Sequence, residues 1–132
     1  MKKAEFYMQF LKEEGYFPTI DDDGDVLFKH EGGSYYLLSN EDDVRYFALL
    51  FPNFWKLENP DEVQKALRSA NDVTRDTKVA KVHVNSKQTN VNASVEIYVT
   101  DPGDCRNFLQ RAVSALRYAV HLFRERMTAP AA

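Results

Sequence analysis

Residues 101–127, DPGDCRNFLQRAVSALRYAVHLFRERM, constrain the fold more than any other stretch of this chain. Cys105, Phe108, Leu109, Ala112, Val113, Leu116, Ala119, Val120, Phe123 and Met127 recur at intervals of one, three and four. That spacing places all ten on one stripe of an α-helix. The start is marked by Asp101 as N-cap, Pro102 at the first helical position and Asp104 at the positive end of the dipole. Arg124 and Arg126 lie near the negative end. One continuous helix of this length would run about 38 Å, enough to cross a small domain. The residues upstream must therefore supply an apolar surface for it to lie on.

They read as two shorter helices and a set of antiparallel strands. Residues 2–14 carry Phe6, Tyr7, Phe10 and Leu11 on one side, and Gly15 is placed as a left-handed stop. Pro18 and the acidic cluster around Gly24 then make a turn between two short extended pieces. The period changes to two over 26–31 and 34–39, with Gly32-Gly33 as the hairpin turn. A third strand, 44–51, is apolar at nearly every position and is expected to stop at Pro52-Asn53. Asn59-Pro60-Asp61-Glu62 opens a second helix with a capping-box pattern, continued by Val63, Ala66, Leu67, Ala70 and Val73 to about Arg75. Residues 78–85 and 90–99 alternate cleanly, with Val91, Ala93, Val95, Ile97 and Val99 on one face. Lys81, His83, Asn92, Ser94, Glu96 and Tyr98 occupy the other, which reads as wet. The expected fold is α+β: an antiparallel sheet with helices packed on it, in the order α-β-β-β-α-β-β-α, forming one domain over 1–127 with a frayed tail at 128–132.

Composition limits what such a domain can do. An apolar share of 44% and an aromatic share of 13% suit a folded globule and not a disordered tail. The single Cys105 permits no internal disulfide and belongs to the buried stripe, so it reads as a core residue. No apolar run has the length of a membrane span, and the N-terminal MKKAEFYMQFLKEEG alternates charge with apolar groups, unlike a secretory signal. A cytoplasmic setting is expected. Residues 1–62 hold 14 acids and 6 bases, net −8, whereas 63–132 hold 6 acids and 11 bases, net +5. An acidic front and a basic back can pair within the fold or steer a partner, and two solvated faces of opposite sign are the expected form.

No catalytic, metal or cofactor constellation stands out. Setting Gly24 at the sixth position of a calcium loop puts Thr19 at the first ligand and His30 where the bidentate Glu belongs, so the acidic cluster reads as a turn. His30, His83 and His121 fall on three elements without metal-ligand spacing. Gly32-Gly33 joins two strands and opens no helix, so it does not cradle phosphate. Arg106, Arg111, Arg117, Arg124 and Arg126 scatter around the polar side of the last helix, which is no stripe for nucleic acid.

The features above background are apolar. Ala115, Tyr118 and Leu122 form a second stripe beside the main one. Phe51, Phe54 and Trp55 cluster around Pro52 in an expected loop, next to a strand, 46–51, that begins at Tyr46 and has no polar face. Both clusters can be core. They can equally be a protein-binding surface or a dimer seam, and Tyr46, Phe51, Phe54, Trp55, Ala115, Tyr118 and Leu122 are its candidate residues.

This layout resembles that of class I type III secretion chaperones and of YbjN-like domains, the latter labelled bacterial sensory transduction regulators. The resemblance spans residues 2–127, and its most recognisable part is the first helix followed by EGYFPTIDDDGDVLFKHEGGSYYL. It implies a small acidic cytoplasmic protein, often dimeric, that holds other polypeptides and has no active site. The pI of about 5.6 and mass of 15.2 kDa agree with it. The expected function is thus a non-enzymatic protein-binding module, chaperone-like or regulatory, acting as a homodimer without cofactor, metal, nucleic acid or membrane. The alternative is a small-ligand sensor or enzyme with a pocket between the last helix and the sheet, for which His83, Glu96 and Tyr98 are the polar candidates.

Overall fold

The computed structural model describes residues 2–39 and 42–130. Its elements follow in the order α1 (Lys3–Glu13), β1 (Thr19–Ile20), β2 (Val26–His30), β3 (Gly33–Leu37), β4 (Tyr46–Lys56), α2 (Pro60–Asp76), β5 (Ala80–Val84), β6 (Asn90–Tyr98), a 3-10 helix (Pro102–Asn107) and α3 (Leu109–Thr128). The strands make one antiparallel sheet in the order β1-β2-β3-β4-β6-β5. This is the expected α+β fold, with the short β1 added at one edge.

Side-chain parity explains which face is covered. Val26, Phe28, Tyr35, Leu37, Phe47, Leu49, Ala80, Val82, Val91, Ala93 and Val95 point to one side and are all buried. They form one core cluster with Tyr7, Phe10 and Leu11 of α1, Val63, Ala66, Ala70 and Val73 of α2, and the stripe of α3. Every member of the stripe foreseen in the last segment is buried except Phe108, which is half-buried against the core.

Local signals set the helix ends. Gly15, at φ +93°, lets its N–H reach the Lys12 carbonyl (3.1 Å) and the Tyr16 N–H reach that of Leu11 (2.9 Å), which ends α1. Asn59 Oδ1 accepts from the Glu62 N–H at 2.9 Å, while the Glu62 carboxylate accepts from the Glu58 N–H at 2.7 Å. That is a capping box reaching one residue further back than usual. Asp21 Oδ1 accepts from the N–H groups of Asp23 (2.9 Å) and Asp25 (3.0 Å), so the acidic cluster caps its own turn.

Three expectations are corrected. The last segment is not one continuous helix. Asp101 accepts from the Gly103 N–H at 2.7 Å and Asp104 reaches back to the Asp101 N–H at 3.0 Å, winding 102–107 as a 3-10 turn. Its spacing of three sets Cys105 and Phe108 on one side. Phe108, at φ −136°, then breaks the axis and lays its ring edge-on to Phe47 at 5.0 Å. The 20 residues of α3 span about 30 Å.

Nor does the third strand stop at Pro52-Asn53. β4 continues to Lys56 through a bulge, with Phe51 opposite Ala93 and Trp55 opposite Val91. Pro52 has no N–H to lose there, and Asn53, at φ +53°, donates its own N–H to Asn92 Oδ1 at 2.7 Å. The bulge resets the alternation, so Phe54 and the adjacent Trp55 both reach Phe123 of α3, at 5.4 and 5.9 Å. These aromatics lie in a strand and not in a loop.

The hairpin turn is likewise displaced by one residue. Glu31 (φ +48°) and Gly32 (φ +83°) are its two left-handed residues, closed by the pair His30 and Gly33. Gly33 is a strand residue. A Cβ there would lie 3.0 Å from the Phe51 ring and 3.2 Å from that of Tyr35.

Candidate binding surfaces

Because α1, α2 and α3 all pack on one side, the other face of the sheet has no helix over it among the described residues. Its residues follow from register. Leu27 lies opposite Tyr36, Tyr36 opposite Leu50, Leu50 opposite Ser94 and Ser94 opposite Lys81. One row thus runs from an apolar half, where Leu27, Tyr36 and Leu50 are half-exposed, to a polar half. Phe17, 92% exposed, stands at the apolar end, and Tyr98, 82% exposed, stands near Tyr46 at 6.3 Å.

The polar half is organised around Glu96. Its carboxylate accepts from the Tyr46 hydroxyl and from Ser94 Oγ (2.7 Å), and Lys81 Nζ lies 2.5 Å away. Burial opposes its ionisation, but the bonds from Lys81, Tyr46 and Ser94 outweigh it and bring the pKa down to about 2. His83 is held below its ordinary range by partial burial and by the Lys81 charge. His83 and Glu96 line a concavity of 350 Å³ with Leu38, Leu50 and Pro52. Tyr98 does not line it, so the three polar candidates share a face but not a pocket.

The seven apolar candidates do not form one patch. Tyr46 is on the uncovered face. Phe51, Phe54 and Trp55 are half-buried on the helix side, where Phe51 stacks on Tyr35 at 5.0 Å and on Phe54 at 5.9 Å. Ala115, Tyr118 and Leu122 follow one flank of α3. Ala115 lines a groove of 360 Å³ with Val79, Val95, Ile97 and Phe108, rimmed by Lys78 and Arg111. Tyr118 is 57% exposed beside it, and Leu122 packs on the core. Val79 is 60% exposed and held at φ +57°, an uncommon conformation for a β-branched residue.

Among the described residues, three of the five arginines of the last segment pair with carboxylates within the fold. Arg106 pairs with Glu13 at 2.9 Å and lies over Phe6 and Phe10, Arg117 pairs with Glu31 at 2.5 Å, and Arg126 reaches Asp72 at 3.2 Å. The first two join the acidic front of the chain to its basic back. Cys105 is fully buried, which pushes its thiol up to about 12. Sequence reasoning missed the row Leu27, Tyr36, Leu50. The signal was present in Leu27-Phe28 and Tyr35-Tyr36, where apolar neighbours mark both faces of a strand.

No protein-family profile and no curated protein sequence matches this chain. Solved structures do. YbjN from E. coli, a candidate transcription regulator, superposes with a TM-score of 0.63 over 92% of this chain and 89% of that one, at 9% identity. An uncharacterized protein from Methanothermobacter thermautotrophicus does so with a TM-score of 0.58 over 95% and 99%, at 10% identity. Among the described residues no helix is long and apolar enough to cross a membrane. With a superposition that spans nearly the whole of both chains, this protein has the YbjN-like fold.

Proposed function

We propose that this chain is a non-enzymatic protein-binding module, chaperone-like or regulatory, that acts as a homodimer and holds another polypeptide. The observation carrying this reading is the sheet face without a helix, with half-exposed Leu27, Tyr36 and Leu50 in one row and Phe17 standing free at its end. Contiguous apolar surface of this kind marks interaction sites. A flat row crossing three strands suits an extended or helical segment laid over it, with the Glu96 and Lys81 cluster as a polar rim. The flank of α3 bearing Ala115, Tyr118 and Leu122 is the separate candidate for the two-fold contact, since a symmetric dimer is the commonest way to close such a stripe.

Sedimentation and affinity capture test the two surfaces independently. The wild type should sediment at twice the 15.2 kDa chain mass at tens of micromolar. Tyr118→Glu should sediment as a monomer. Tyr36→Lys and Leu50→Lys should keep the dimer and the melting temperature while losing the captured polypeptide. A monomeric wild type whose capture is identical in all three variants would remove the basis for this reading.

A further inference from the structure

The cleft between the β2–β3 hairpin and the opposite flank of α3 differs in kind from both surfaces above. Its volume is 280 Å³, and Tyr35, Phe51, Arg117 and Arg124 line it together with Gly32 and Gly33 of the turn. Tyr35 is 2% exposed, and its ring is stacked between Phe28 at 5.5 Å and Phe51 at 5.0 Å, which fixes where its hydroxyl points. Among the described residues no protein group hydrogen-bonds that hydroxyl. No side-chain oxygen of the described residues is both sealed from solvent and unpaired, so its open direction is the cleft. A phenol packed this deeply ordinarily finds a partner.

The cations beside it are placed for an anion. Arg117 and Arg124 lie two turns apart on one side of α3. Burial raises the Tyr35 pKa, and both guanidinium groups act on it in the opposite sense, which puts each within electrostatic reach of the hydroxyl. Arg117 already holds one carboxylate, that of Glu31 at 2.5 Å. Arg124 has no carboxylate at ion-pair distance among the described residues; its guanidinium lies over the Phe54 ring at 5.7 Å. Stacking of that kind leaves the N–H donors at its edge free. Gly33 keeps the floor thin, because a Cβ would meet Phe51 at 3.0 Å and push the aromatic stack into the space.

We propose that this cleft binds a small molecule through an oxyanion group, phosphoryl or carboxylate, held between the Arg117 and Arg124 guanidinium groups and hydrogen-bonded by the Tyr35 hydroxyl. Glu31 is the internal occupant of part of the site, and an incoming oxyanion replaces it on Arg117 because the guanidinium fork donates to either. A bound molecule would tie the hairpin to α3. This site stands independently of the protein-binding reading and shares none of the residues that test it.

The test is a titration of the ¹⁵N-labelled full chain with sodium phosphate and, separately, sodium succinate, against sodium chloride at matched ionic strength. Saturable shifts at the Gly32, Gly33 and Tyr35 amides are expected with at least one of the two, and the tighter one names the oxyanion class. Tyr35→Phe should weaken binding about fivefold and Arg124→Gln about tenfold, as loss of a neutral and of a charge-assisted hydrogen bond implies. Tyr35→Phe should melt like the wild type in anion-free buffer, since its hydroxyl has no hydrogen-bonding protein partner to lose, whereas Arg124→Gln gives up its stacking on Phe54 and should melt slightly lower. Glu31→Gln should tighten binding, an effect no structural role of Tyr35 or Arg124 produces. Shifts no larger than those of chloride with both anions, or undiminished binding in Tyr35→Phe, would overturn the proposal. The near-isosteric Tyr35→Phe carries the test should Arg124→Gln fail to fold.

Discussion

Glu96 shows how a single charged residue can belong to the uncovered face of a sheet. Its folded pKa of about 2 lies below the ordinary 4.5, so its contribution to stability is complete above 4.5 and disappears as pH falls through 2. The side chain is 29% exposed and its partner Lys81 54%, so solvent screening trims that contribution to about 1–2 kcal/mol. Glu96→Gln removes the titrating group. Between pH 4.5 and 2 the melting temperature of the wild type should therefore fall more steeply than that of Glu96→Gln, by the amount separating the two at pH 7. Parallel profiles would show that the cluster is ornamental. Glu13 and Asp76, whose pKa values are also lowered by arginine partners, titrate alike in both proteins and cancel in the comparison.

At the scale of the element, the two edges of the sheet are managed differently. Thr74 of α2 donates its hydroxyl to the Val82 carbonyl at 3.2 Å and accepts from the Val82 N–H at 2.9 Å. One helical side chain thus satisfies the outer backbone groups at the middle of β5, and a client strand cannot add there without displacing it. At the other edge β1 pairs with Val26 and Leu27, which among the described residues leaves the outer side of β2 from Phe28 onward without a strand neighbour. Thr74→Val would strand both groups of Val82, itself only 5% exposed, and should cost about 1–3 kcal/mol in urea unfolding. Thr74→Ser, which keeps the hydroxyl, should stay close to the wild type. Equal losses in both would place the effect in packing and not in the edge.

At the scale of the whole molecule, the core depends on the register between β6 and its neighbours. Val95 is 1% exposed and sits opposite Leu49 on one side and Ala80 on the other. Val95→Asp places a carboxylate there without a partner and should cost about 4 kcal/mol or more, read from the urea midpoint. An unchanged midpoint would contradict the register. That register was legible in the chain itself, because Val91, Ala93 and Val95 alternate with polar residues and the alternation names the buried face. The stripe of the last segment, its Asp101 start and the Asn59 cap were legible for the same reason: each is a local pattern whose meaning depends on residues within a turn or two. What the local pattern could not decide was where two signals coincide. In β2, β3 and β4 apolar residues occupy both faces, so periodicity offers no contrast between the side that α3 covers and the side left bare. Pro52-Asn53 is chemically a stop, and only the Asn92 amide across the strand turns it into a bulge that carries Phe54 and Trp55 onto Phe123. Tyr35 lies 82 residues before Arg117 and 89 before Arg124 in the chain, and becomes their neighbour through the packing of α3 on the sheet. Sequence periodicity determined which residues are apolar together; tertiary packing alone decided what lies against them.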